Sequence, residues 1–147
     1  SKSLSSSLSE IFKAAYIGED VRFSFNPISK YLINNKNVSL IDMPISESCF
    51  TGMALGLSLK GIMPIIEYNF SGLIYLTLDQ LYNQIFKYPE MGGCKPNTPI
   101  ILIAPTGTRG SRSVHHSDNA YSLLVSLGIK CYLEVSAPYT NYHPVSS

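Results

Sequence analysis

The period of the apolar residues changes repeatedly along the chain, and each change marks an element. Leu4, Leu8, Ile11 and Phe12 recur at helical spacing. "AAYIGEDV" then reads as a short strand running out into a polar turn. Asn26-Pro27 is a helix start, a cap residue followed by proline at the first helical position, and it opens "PISKYLINN". "VSLID" (38–42) is predicted as a buried strand. Ser46 is placed to cap a helix through Leu59 that Gly61 ends. "MPIIEYNF" (63–70) is the next strand, followed by a helix whose inner face holds Leu78, Leu81, Ile85 and either Ile74 or Tyr75. "TPIILIA" (98–104) is a β-rich run between prolines. A Gly/Arg/Ser loop, a helix from about Asp118 to Leu127 stopped by Gly128, and a last strand "KCYLEV" complete the pattern.

Strands that read as continuous apolar runs, each separated by one helix, imply an α/β three-layer sandwich with a mostly parallel sheet covered on both faces. Ligands in such folds sit beyond the carboxyl ends of the strands, so the segments after Ile41, Ile66 and Ile103 are the ones to inspect. With 147 residues, 45% of them hydrophobic, the chain is long enough for one domain and short for two. That domain is expected over residues 1–137, with "PYTNYHPVSS" (138–147) as a tail or the start of a linker.

Composition narrows the function. Charged residues make up only 14% of the chain, while ten tyrosines and six phenylalanines supply bulk, which points to a surface that meets a partner chain. A net charge of +1 with no basic run leaves no electrostatic footprint for nucleic acid. No segment approaches a membrane span, and "SKSLSSSLSE" lacks the apolar core of a signal peptide. Cys49, Cys94 and Cys131 are odd in number and share no CxxC spacing. Reduced thiols acting as small buried hydrophobes are expected, in the cytoplasm or an organelle matrix.

Among the chemistry-bearing residues Glu47 stands out. It lies in the first turn of the helix that follows "VSLID", among Ile45, Phe50, Met53 and glycines. A glutamate there serves as an ordinary helix-start device, or as an acid whose proton affinity is pulled down by the helix terminus and pushed up by apolar surroundings. The pattern by itself leaves both open. Gly52 and Gly56, four apart, suit close packing of that helix. His115 and His116 with Asp118 suggest a metal site only weakly, because adjacent side chains point apart and no third ligand is evident; no metal site is expected.

A longer comparison of motifs goes further. "DMPISE", "GIMP" and "LDQLYNQ", with "IGEDV" upstream and "TPIILIAPTGTRGSRSVHHSD" and "LGIKCYL" downstream, resemble in order the pyrimidine-binding domain of thiamine diphosphate enzymes, in particular the beta subunit of 2-oxo acid dehydrogenases of the pyruvate and branched-chain type. The resemblance covers nearly the whole chain. It implies that Glu47 contacts a ring nitrogen of the cofactor's aminopyrimidine and shares a proton with it, which in turn promotes loss of the proton on the thiazolium carbon. It implies that Glu19, in "GED", is an acid near the cofactor that helps connect paired active sites, where the plain reading is a solvated turn residue. It places His116 towards the substrate, where the plain reading is a surface imidazole.

Two departures from the family pattern matter. The aromatic residue that stacks on the pyrimidine six positions before the Asp of Leu-Asp-Gln is here Leu73, and Phe70 or Tyr68 is expected to substitute. The chain also stops where the family's beta subunit continues through a linker into a further α/β domain, so it is a fragment or a shortened relative. The Gly-Asp-Gly motif and downstream Asn by which the partner domain holds magnesium and the diphosphate are missing, and "TGTRGSR" (106–112) matches neither a Walker sequence nor GxGxxG. The resemblance therefore implies half of a site. An alpha-type subunit or domain would supply the diphosphate half with its magnesium, in an oligomer that passes the acyl group to a lipoyl-bearing acyltransferase. Transketolase-type or deoxyxylulose-phosphate-synthase-type enzymes, which use the same glutamate, and a non-catalytic remnant that keeps the fold and a subunit interface, are the alternatives.

Overall fold

The structure is a computed structural model and describes residues 13–23, 27–32, 34–91, 99–107 and 114–132. Four strands form one parallel sheet: β1 (Ala14–Glu19), β2 (Val38–Met43), β3 (Met63–Glu67) and β4 (Ile101–Ile103), in the order β2-β1-β3-β4. The register runs Ala14↔Val38 to Glu19↔Met43, Ala14↔Met63 to Gly18↔Glu67, and Ile65↔Ile101 to Glu67↔Ile103. Parallel neighbours need crossovers, and helices supply them. Helix α1 (Pro27–Leu32) links β1 to β2, and α2 (Glu47–Leu59) links β2 to β3. A longer helical path, Ser71–Thr77 wound as 3-10, Asp79–Phe86 wound as π and α3 (Tyr88–Met91), leads away from β3. Helix α4 (Tyr121–Ser126) follows β4.

Strand alternation divides the core into two layers. Ala15, Ile17 and Ile66 pack with Phe50 and Ala54 of α2 and with Tyr68, Ile74, Leu81, Ala120 and Leu124. On the opposite face Ala14, Tyr16, Val38 and Ile65 pack with Val21 and with Leu32 of α1. Apolar layers on both sides of the sheet bear out the α/β sandwich. At Gly18, where β1 passes β3 most closely, a Cβ would lie 2.5 Å from the Glu67 carbonyl oxygen, so only glycine fits. Gly61, at φ +77, takes the left-handed turn that ends α2, as its position predicted.

Several boundaries differ from expectation for physical reasons. Strand β2 lies at a sheet edge among the described strands, with Ser39 and Asp42 exposed, so it is less buried than "VSLID" suggests. Strand β3 stops at Glu67. Tyr68 still donates its amide to the Ile103 carbonyl at 2.9 Å, and Asn69 and Phe70 then bend the chain away. The next helix is not a plain α-helix. Tight 3-10 turns followed by wide π turns compensate in phase, so Ile74 and Leu81 still face the core while Tyr75 is exposed. Helix α4 starts at Tyr121 rather than Asp118, because Asn119 and Asp118 make turn hydrogen bonds to the Tyr121 and Asn119 amides.

Three further expectations change. Residues 130–132 of "KCYLEV" carry no strand, and the rest of that segment lies outside the described residues, as do the N-terminal helical pattern, the glycine/arginine loop at 108–113 and the tail from Pro138. Ser46 does not cap α2: its hydroxyl turns back to donate to the Pro44 carbonyl at 2.9 Å. Cys49 is exposed rather than buried, because it lies on the outward side of α2, and Cys131 is half-buried. No helix among the described residues is long and apolar enough to cross a membrane.

Candidate active site

The carboxyl ends of β1 and β2 and the start of α2 converge on Glu47. This residue opens α2 and is only 6% exposed, yet among the described residues its carboxylate has no hydrogen-bond partner. Its backbone, by contrast, is firmly held. The Ser46 carbonyl accepts from the Cys49 and Phe50 amides at 2.9 and 3.1 Å, and the Glu47 carbonyl accepts from Thr51 Oγ1 at 2.6 Å. Glu47 therefore does not act as a side-chain cap. A carboxylate withdrawn from water with its oxygens uncommitted is suited to a ligand that presents an N–H or a protonatable ring nitrogen.

Glu19 lies near it at the end of β1, just before Asp20, which adopts φ 57 and turns the chain out of the sheet. Asn69 Nδ2 donates to Glu19 Oε2 at 3.3 Å. Desolvation, followed by the neighbouring negative charges of Asp20, Glu47 and Asp42, pushes the Glu19 carboxyl above the ordinary glutamate value, and the Asn69 hydrogen bond opposes this. The Glu47 charge thus contributes to the raised Glu19 carboxyl, and Glu19 is half-buried at the end of β1.

His116 ends a single 3-10 turn, Val114–His116, and its ring lies 4.6 Å from that of Phe70, centroid to centroid, tilted by 48°. Ser71 Oγ anchors the same region by donating to the Asp118 carbonyl at 2.6 Å. The structure thus brings His116 against Phe70, one of the two aromatics expected to replace the ring absent at Leu73. Tyr68, the other, is withdrawn. Its ring is fully buried against Phe50 at 5.9 Å, so it cannot stack on a ligand. Leu73 is half-buried against the inner core layer. Among the described residues no group of His, Cys, Asp and Glu could hold a metal ion.

Sequence reasoning passed over two groups. Glu67 is 5% exposed and accepts a hydrogen bond from the buried Tyr16 hydroxyl, on the sheet face opposite Glu47. Burial, with the Glu67 charge and hydrogen bond adding to it, pushes the Tyr16 phenol well above the usual tyrosine range. A charged residue closing an apolar strand was the signal. The other is Gln80, whose Oε1 is buried without a partner among the described residues and whose stem packs near Gly52 of α2.

Around Glu47 the surface is apolar. Ile45 is 76% exposed and Leu76 60% exposed, with Tyr75 also exposed, and Ser48 Oγ donates to the Leu76 carbonyl at 2.6 Å to hold the rim together. A buried carboxylate with an apolar rim at the carboxyl edge of a parallel sheet is placed where ligands of such folds bind. The sequence pattern of the family described as "Transketolase, pyrimidine binding domain" matches residues 2–143. The chain belongs to this pyrimidine-binding family.

Its relatives agree. The chain is 32% identical over 116 residues to the beta subunit of acetoin:2,6-dichlorophenolindophenol oxidoreductase from Cupriavidus necator, which covers 78% of this chain and 33% of that protein. It is 28% identical over 114 residues to the pyruvate dehydrogenase E1 component subunit beta of Cyanidium caldarium, covering 76% and 35%. With the 3-methyl-2-oxobutanoate dehydrogenase subunit beta of Mycobacterium tuberculosis it shares 32% identity over 90 residues, covering 60% and 26%. The chain thus spans about a third of the length of the first relatives it matches.

Proposed function

We propose that this domain is the pyrimidine-binding half of a thiamine diphosphate-dependent 2-oxo acid dehydrogenase. The observation that carries the reading is Glu47, buried, its carboxylate without a hydrogen-bond partner among the described residues, at the ligand end of the sheet within a pyrimidine-binding domain. Bound there, thiamine diphosphate supplies an electron sink for decarboxylation of a 2-oxo acid. Glu47 holds and exchanges a proton at the pyrimidine ring nitrogen. Phe70 would lie against the ring system with His116 beside it, turned towards the substrate side, Leu73 would contribute an aliphatic contact where relatives of this type carry an aromatic, and Glu19 would line the approach.

The same reading supplies the partners. An alpha-type subunit or domain docks on the rim of Ile45, Tyr75 and Leu76 and brings the diphosphate site with its magnesium, and a lipoyl-bearing acyltransferase takes the acyl group. One domain spans residues 1–137, with 138–147 leading out of it, and the assembly works in the cytoplasm or an organelle matrix. Support comes from the relatives' names as beta subunits and from the apolar rim beside Glu47.

The test is Glu47→Gln in the reconstituted assembly. Glutamine keeps the shape but cannot exchange a proton, so deuterium exchange at the thiazolium carbon is expected to slow by about a hundredfold or more, with the melting temperature unchanged. Exchange at the wild-type rate together with a lowered melting temperature would refute the reading.

A further inference from the structure

We propose that Tyr68 is a positioning residue for Glu47, acting through a buried chain of hydroxyls that includes Thr51 and Thr77. The inference rests on the reading above and extends it to the device that holds the acid in place. Helix termini fray, and α2 lacks the side-chain cap that would prevent it, since Ser46 donates to Pro44 instead. An acid in the first turn of an uncapped helix needs another tether if its carboxylate is to stay at one depth.

The hydroxyl chain supplies that tether. Thr51, Tyr68 and Thr77 are each fully buried. Thr51 Oγ1 donates to the Glu47 carbonyl at 2.6 Å, and Thr77 Oγ1 donates to the Ile74 carbonyl at 2.9 Å. Each threonine has one hydroxyl proton, and both protons are thereby committed to backbone. The Tyr68 hydroxyl lies 2.7 Å from Thr51 Oγ1 and 3.3 Å from Thr77 Oγ1, so its own proton goes to Thr51, the nearer oxygen. The proton order is fixed, from Tyr68 to Thr51 to the Glu47 carbonyl.

Tyr68 is itself tied to the sheet. Its amide donates to the carbonyl of Ile103, the last residue of β4, at 2.9 Å, and its ring packs against Phe50, one turn along α2 from Glu47. The main chain of Glu47 is therefore referenced to the sheet and to the Ser71–Thr77 helix, not to the helix terminus alone. Ser48, bonded to the Leu76 carbonyl at 2.6 Å, adds a second tie to that same helix. Phenylalanine would fill the same space as Tyr68, so the hydroxyl is the feature that requires a purpose. Being fully buried, the Tyr68 hydroxyl acts through Thr51 and has a positioning role, not a catalytic one.

Two readouts test this, one of them independent of turnover. In Tyr68→Phe and in Thr51→Val, amide hydrogen exchange at Cys49 and Phe50, the bonds that close the first turn of α2, is expected to quicken by about fivefold or more, the scale of one lost buried hydrogen bond. Amides of Ile65 and Ile66 in β3 should keep their protection. In the reconstituted assembly the same variants should slow deuterium exchange at the thiazolium carbon by about tenfold through misplacement of Glu47, and Thr51→Ser, which keeps the hydroxyl, should restore both readouts. Unchanged exchange at Cys49 and Phe50, or a rise spread evenly over the whole chain, overturns the positioning role. If Glu47→Gln slows thiazolium exchange and Tyr68→Phe does not, the positioning role alone falls. If Glu47→Gln itself leaves that exchange intact, both readings fall.

Discussion

Replacing Tyr16 by phenylalanine removes one oxygen atom from the sheet face opposite Glu47 and leaves Glu67 without its phenolic donor. A hydrogen bond to an ionised, buried acceptor contributes roughly 1.5–3 kcal/mol, so Tyr16→Phe should destabilise the fold by about that amount near neutral pH. The pH dependence gives a sharper signature. Burial, and then the Glu67 charge, raise the Tyr16 phenol from its ordinary value of 10.0. The folded chain thus keeps a proton that the unfolded chain releases, and the stability from this tyrosine is complete below pH 10.0 and is lost progressively above it. One proton of difference corresponds to a slope of about 1.4 kcal/mol per pH unit. Tyr16→Phe has no such proton, so its deficit relative to wild type should shrink by about that amount for each unit above pH 10.0. Taking the difference between the two proteins cancels lysine titration and the second raised phenol, Tyr68. Urea denaturation followed by circular dichroism, at a series of pH values from neutral to alkaline, measures it. Parallel stability curves for the two proteins across the alkaline range would refute the assignment of a buried, proton-retaining Tyr16.

Two further outcomes follow from particular contacts. Gly18→Ala should lower the urea midpoint by on the order of 3 kcal/mol of stability, because the new Cβ meets the Glu67 carbonyl oxygen at 2.5 Å, backbone that cannot rotate away; a midpoint within error of wild type would show that β1 and β3 do not approach so closely. Asn69→Ala should raise the Glu19 titration midpoint further, since it deletes the hydrogen bond that opposes desolvation and the charges of Asp20 and Glu47. The ionised form then becomes less favourable above the ordinary glutamate value of 4.5, and carboxyl carbon NMR should show the upward move; a downward move would contradict the geometry.

The sequence by itself determined the architecture and singled out Glu47 as a candidate whose role the pattern left open. Apolar runs at strand length separated by single helical patterns specify parallel strands covered on both faces, because that is the arrangement that buries such runs completely. Glu47 was legible for a related reason: a carboxylate among Ile45, Phe50 and Met53 conflicts with its neighbours, and such conflicts mark sites. Local turn chemistry was legible too, with Gly61 at a positive φ and Asp20 turning the chain after β1. What the tertiary structure decided concerns residues far apart along the chain. Periodicity shows which residues face inward, not which one they meet, so the Tyr16–Glu67 pair, 51 positions apart in sequence, stayed hidden. That Tyr68 is fully buried while Phe70 stays partly accessible was equally non-local. It depended on Thr51 and Thr77 converging on the Tyr68 hydroxyl and on His116 arriving beside Phe70. Ser46 shows the opposite failure: its local signal for a cap was sound, but the hydroxyl found the Pro44 carbonyl, and the start of α2 is held instead by the Tyr68 hydroxyl, just after β3, and by the Leu76 carbonyl of the helix beyond.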